Sequence, residues 1–321
     1  MAQSGNIGFN WNQLLGMMIG AGLSSFVFII YAWVRHRRKT ARNERPPQQT
    51  KILRPAGYSL HCRIDDLSDK FTLAVMESGL AGTILGILCG GFYPLAEGLI
   101  LQRFTYAQIR AQPHFYYFYS CFLLALSSLA WMIAAITKIV RLHSEIRNCR
   151  FGLRGEQAVA EALADIRVVS AGYIAFHDVP GGGAWNIDHV VIGPGGVYVL
   201  ETKTRARRKP TRDQRDQDVL FDGKALQFPW CCDRKVVKQV ENNANWVKNF
   251  IADFAPKDIL VQPVIVVPGW YVDTKGNYPV KAMPANYLAE DFLPTAKRQF
   301  TLEQLQPLVR RFDERCRDLE F

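Results

Sequence analysis

Three runs in this 321-residue chain, 14–34, 78–96 and 115–137, are predominantly apolar and contain no Asp, Glu, Lys or Arg. A helix needs roughly 20 apolar residues to cross a bilayer, so each run is long enough to span one and three transmembrane helices are expected. The first run is not a cleavable leader, because no Lys or Arg precedes it and the basic cluster Arg35, Arg37, Arg38 and Lys39 follows. Ten Lys or Arg residues separate the first two runs, whereas Arg103 and Arg110 alone separate the second and third. The positive-inside bias then places the N-terminus outside and everything after Lys138 in the cytoplasm. The expectation is a multi-pass inner or plasma membrane protein, with an all-α anchor over 1–145 and a cytoplasmic domain over 146–321. Between the first two runs, 35–75 reads as a cytoplasmic loop, since Pro46, Pro47 and Pro55 accompany charges with no helical period. Gly82, Gly86 and Gly90 recur at four-residue spacing in the second run, a ridge that would let another helix approach closely and support a homo-oligomer in the lipid bilayer.

The net charge of +10 has to be located before it says anything about partners. Residues 1–150 hold 16 basic and 7 acidic side chains, and residues 151–321 hold 23 and 22. The excess therefore belongs to membrane topology and is no argument for nucleic acid. A local cluster remains at Arg205, Arg207, Arg208, Lys209, Arg212 and Arg215, which suits phosphate contacts and equally suits a solvated loop. Seven cysteines, an odd count with no CxxC pair, argue against a disulfide framework in a mostly cytoplasmic chain. HExxH, zinc-type spacing and GxxxxGK are all missing, so zinc hydrolase and nucleotidase readings lose their usual support.

The segment 187–203, IDHVVIGPGGVYVLETK, has two β-prone stretches flanking Gly193-Pro194-Gly195-Gly196, a hairpin signal. If the loop is even, Ile192 faces Val197 and Asp188 stands opposite Glu201. Facing Cβ atoms lie about 5 Å apart. Lys203, two residues beyond Glu201, projects from the same face. Two carboxylates so placed repel by about 3 kcal/mol at an effective dielectric near 20, which a cation between them would relieve. His189 points to the other face and reads as a packed histidine.

Asp188 followed by Glu201-x-Lys203 on the next strand resembles the restriction-endonuclease-like PD-(D/E)xK superfamily. With the upstream Arg154-Gly155-Glu156 and a later helix carrying Gln239 and Asn243, residues 150 to 250 resemble more narrowly the nuclease-related domain, NERD. Ile187 stands where many members have proline, which is not a ligand. The resemblance implies an α/β (α+β) restriction-endonuclease-like core, a mixed sheet flanked by helices, behind the three-helix transmembrane region. It also implies hydrolysis of phosphodiester bonds with Mg²⁺ or Mn²⁺ held by Asp188, Glu201 and Glu156. Lys203 would orient the attacking water or hold the phosphate, and Gln239 would stand behind the motif. DNA is the implied substrate ahead of RNA, with Arg205, Arg207, Arg208 and Lys209 on its backbone.

The residues themselves support several of these placements. Over 154–165, Glu156, Val159, Ala160 and Leu163 share one helical stripe, and a carboxylate on an apolar stripe requires a partner. A strand is expected over 168–176, a flexible loop at Gly181 to Gly183, and a helix over Lys235–Ile251 with Gln239, Asn243, Trp246 and Phe250 in line. A buried strand at 264–267 and an amphipathic helix over 302–319, interrupted at Pro307, complete the domain. Two other function classes stay open. One is a catalytically silent, membrane-tethered DNA-binding or scaffold module with a nuclease fold, which loss of an acidic ligand would favour. The other is a signalling or transport component, and three runs without a buried charge disfavour transport.

Overall fold

The computed structural model describes residues 51–100, 115–183, 185–206 and 218–317. These fall into two compact units, one of 66–100 with 115–145 and the other of 51–65 with 146–317.

The first unit consists of long helical stretches of α1 (Tyr58–Ile100) and α2 (Phe115–Leu163). Among the described residues two helical stretches, Tyr58–Leu88 and Phe122–Leu163, are long and apolar enough to cross a membrane. The expected first span at 14–34 lies outside the described residues. Ser128 Oγ donates to the Ala81 carbonyl at 2.7 Å, and Lys138 Nζ pairs with Glu77 at 3.1 Å. Each of those ionic partners directly borders an apolar run. Gly82 serves this same helix pair, its position for a Cβ standing 3.9 Å from Met132 Sδ, whereas Gly86 meets nothing within 4 Å. The surroundings of Gly90 lie outside the described residues. Leu123, Leu124, Leu126, Ile133 and Ile136 are exposed on α2.

Two expectations need correction here. The loop expected over 35–75 is helical from Tyr58 onward, because after Pro55 and Gly57 no breaker occurs before Gly79 and an Asp66–Lys70 pair at 2.6 Å supports the turn. The helix expected over 154–165 is the end of α2, which runs unbroken from the third apolar run to Leu163.

The second unit is built on a five-stranded mixed sheet in the order β1-β2-β3-β7-β9. Here β1 is Ile174–Pro180, β2 Asn186–Gly193, β3 Gly196–Thr202, β7 Val261–Val266 and β9 Lys281–Met283. The first three strands are antiparallel, and β7 and β9 join in parallel. Pro263 sits in β7 before β9 begins its pairing at Val264, so the missing N–H breaks no ladder bond on that side. A smaller sheet, β6-β5-β4-β8, comprises β4 (Asp218–Phe221), β5 (Leu226–Phe228), β6 (Cys231–Asp233) and β8 (Tyr271–Thr274).

The helices α4 (Lys235–Ile251) and α6 (Leu302–Cys316) cover one face of the large sheet, where Val190, Ile192, Val197 and Val199 meet Val247, Ile251, Leu308 and Phe312. Val159 and Leu163 of α2 pack on the other face with Val191, Tyr198 and Leu200. A short helix at Ala285–Tyr287 and a π turn at Leu288–Phe292, together α5, close that side through Leu288 and Leu293. The first turns of α4 join the two sheets through Val236, Val237 and Val240. Residues 168–170, expected as strand, are instead helical in α3 (Ile166–Ser170), because the Asp165 carboxylate caps it by accepting the Arg167 N–H at 2.8 Å. α6 starts with a Thr301–Gln304 capping box and passes through Pro307 without interruption.

Candidate active site

The hairpin closes through Pro194-Gly195, and its ladder pairs Ile192 with Val197 and His189 with Leu200. One step further along the same register stand Asp188 and Glu201. Both occupy the face of Val190 and Val199, because side chains alternate along each strand. The paired ladder stops just short of them. There the Asp188 carboxylate takes over by accepting the Thr202 N–H at 2.7 Å. Asp188 remains partly open to solvent, whereas Glu201 is buried.

Glu201 is held from two directions. Lys203 Nζ donates to its Oε1 at 3.2 Å, and Asn243 Nδ2 donates to its Oε2 at 3.3 Å. Lys203 also donates to Gln239 Oε1 at 3.2 Å. The amide end of the α4 stripe therefore meets the hairpin, and Gln239 is exposed there. Asn243 is buried and makes the more intimate contact.

Glu156 reaches the site from α2, and Gly155 sets how closely that helix can approach. A Cβ at position 155 would collide with Thr204 Oγ1 and stand 3.0 Å from Thr204 Cβ, immediately after the Glu201-x-Lys203 strand. Burial, reinforced by Asp178 and Glu201, pushes the Glu156 carboxyl up to about 8. Burial also raises Asp188 well above the ordinary carboxylate range, with Glu201 and then Glu156 adding to the effect. Burial raises Glu201 too, against the opposing pull of the Lys203 ammonium. These are carboxylates close enough to resist one another's ionisation.

Sequence reasoning missed a further buried carboxylate, Asp178 on β1, which has no local motif to reveal it. His189 faces away from Asp188 and lies fully buried with its Nδ1 2.8 Å from His177 Nδ1. Burial holds both imidazoles below their ordinary pKa, consistent with a packed pair. Arg205 is engaged with Asp233 at 3.1 Å and lies over the Phe228 ring at 5.9 Å. Arg207, Arg208 and Lys209, like Arg212 and Arg215, lie outside the described residues.

Among the described residues no three Asp, Glu, His or Cys side chains are gathered as a ready-made metal centre. The donor chemistry nevertheless suits a hard cation, since Glu156, Asp188 and Glu201 present only carboxylate oxygens. Burial chiefly raises all three, and a bound cation would favour their ionised forms.

Compared with known protein families, residues 151–268 match the model of the nuclease-related domain, NERD. Neither curated proteins nor solved structures gave a match.

Proposed function

Taking residues 151–268 as a nuclease-related domain, we propose that this chain is a membrane-anchored, metal-dependent nuclease that hydrolyses phosphodiester bonds, acting as an endonuclease on DNA at the cytoplasmic face. The observation that carries this reading is the hairpin pair Asp188 and Glu201 beside Lys203, one step beyond the His189–Leu200 pair, with the buried Glu156 near enough for its charge to act on Asp188. Asp188, Glu201 and Glu156 would hold Mg²⁺ or Mn²⁺. When bound, that cation would supply stabilisation of the charge that develops on the phosphate oxygens.

The remaining work falls to side chains of the chain itself. Lys203 sits between Glu201 and Gln239, where its ammonium can hold the scissile phosphate or orient the attacking water. Asn243 fixes the Glu201 carboxylate from the helix side, so that Lys203 does not alone decide its orientation. Asp188 accepts the Thr202 N–H and is thereby fixed beside Glu201. Arg205, with Arg207, Arg208 and Lys209, would contact the nucleic-acid backbone next to the site. Membrane anchoring is supported by the two long apolar helices and their exposed leucine and isoleucine side chains. Orientation with the nuclease unit inside follows from the distribution of Lys and Arg between the runs.

The test is cleavage of labelled single- and double-stranded DNA and RNA by the full chain in detergent, with Mg²⁺, Mn²⁺ or EDTA, alongside Glu201→Ala. Cutting that requires the metal and disappears in the variant is the expected result. A folded chain that binds DNA in a gel-shift assay but cuts nothing would replace this reading with that of a silent tether.

A further inference from the structure

Three carboxylates are accounted for by the proposed chemistry, and Asp178 is not. It is 2 % exposed and adopts φ +48, a left-handed conformation that costs free energy for a residue other than glycine. Both its oxygens are occupied. Oδ1 accepts from Ser59 Oγ at 2.5 Å and from Asn186 Nδ2 at 3.3 Å. Oδ2 accepts from the Ser59 N–H at 3.1 Å, from Arg54 Nη1 at 3.3 Å and from Asn186 Nδ2 at 3.4 Å. A carboxylate with this many donors has little acceptor capacity left for a metal ion or a substrate. What it holds is the start of α1, where it accepts a helix-terminal N–H much as a capping residue would, across 119 positions of sequence.

The segment it holds rests on the part of α2 that carries Glu156. Gly57, at φ +71, is so close to that helix that a Cβ would collide with Leu153 Cδ1 and lie 3.5 Å from Glu156 Oε2. A Cβ on Gly152 would stand 3.3 Å from Leu60 Cδ1. Residues 57–60 thus form the wall behind the turn 152–156.

We propose that Asp178 is a positioning residue, which clamps residues 54–59 against α2 and thereby fixes where the Glu156 carboxylate stands. Its catalytic consequence rests on the nuclease reading above, but its structural consequence does not. The test uses the full chain in detergent with Asp178→Asn, Asp178→Ala, Arg54→Gln, Glu156→Gln and the double variant of Asp178→Asn with Glu156→Gln. Amide hydrogen exchange is read at 57–61, 152–158 and 196–202, and cleavage kinetics are measured in parallel. Asp178→Asn and Arg54→Gln are expected to speed exchange at both 57–61 and 152–158 while leaving 196–202 unchanged. They should lower kcat on the order of tenfold to a hundredfold with KM little altered, as expected for a displaced catalytic group. In the Glu156→Gln background, Asp178→Asn should cost nothing further. Exchange that rises at 57–61 alone, or losses that add across the double variant, would overturn the proposal. Should Asp178→Ala fail to fold, the Asn and Arg54 variants still decide. Should the unaltered chain cut nothing, the nuclease reading falls while exchange at 152–158 still judges the clamp.

Discussion

At the scale of single residues, Glu156 is the most exposed to test, because its protonation is tied to folding. In the unfolded chain it would ionise near its ordinary value of 4.5, and in the folded chain burial moves that to about 8. A carboxyl raised in this way favours folding most at low pH. Its contribution is intact below about 4.5 and is lost as pH rises toward about 8, since the folded state holds the proton more tightly. In EDTA, the melting temperature of the unaltered chain should therefore fall relative to Glu156→Gln as pH rises from about 5 to about 8. Comparing the two proteins cancels His177 and His189, whose depressed pKa values act in the opposite direction. A flat difference across that window would show that Glu156 is not buried among carboxylates. Added Mn²⁺ should shrink the difference, because a cation favours the ionised form.

Among elements, the contact of α2 with the end of β3 governs the geometry. Gly155→Ala would improve helix propensity by roughly 1 kcal/mol in isolation. Here the new methyl meets Thr204, and turning the Thr204 side chain relieves its hydroxyl but not its Cβ at 3.0 Å. The helix must shift, and Glu156 shifts with it. We expect cleavage to drop on the order of tenfold or more while the circular dichroism spectrum stays unchanged, and full activity would show that the contact has slack.

The same scale shows what could be read in advance. The hairpin itself was legible from its period of two about Pro194-Gly195, whereas its register hung on an even loop, which the structure supplies, and the limits of α4 agree with its apolar stripe over Lys235–Ile251. The smaller sheet was not, since strands of three or four residues are too short to display a period. At 168–170 β-branched residues suggested strand, but a local cap at Asp165 overrode that propensity. The bonds of Asp178 to Arg54 and Ser59 span 124 and 119 positions, which no local pattern records.

For the molecule as a whole, the path of the chain matters more than its length. It contributes 51–65 to the second unit, leaves, and returns at 146. A fragment that begins at residue 146 would strand the buried Asp178 without Arg54 and Ser59. Loss of one partner from a buried charge pair costs about 3 kcal/mol or more. Joining residue 65 to residue 146 by a short Gly-Ser linker should yield a chain whose urea midpoint clearly exceeds that of the 146–317 fragment, and equal midpoints would show that 51–65 contributes nothing. The apolar helix pair thus lies, in sequence, between two segments of the second unit. Any recombination that moved this unit to another gene would have to carry two separated coding blocks together.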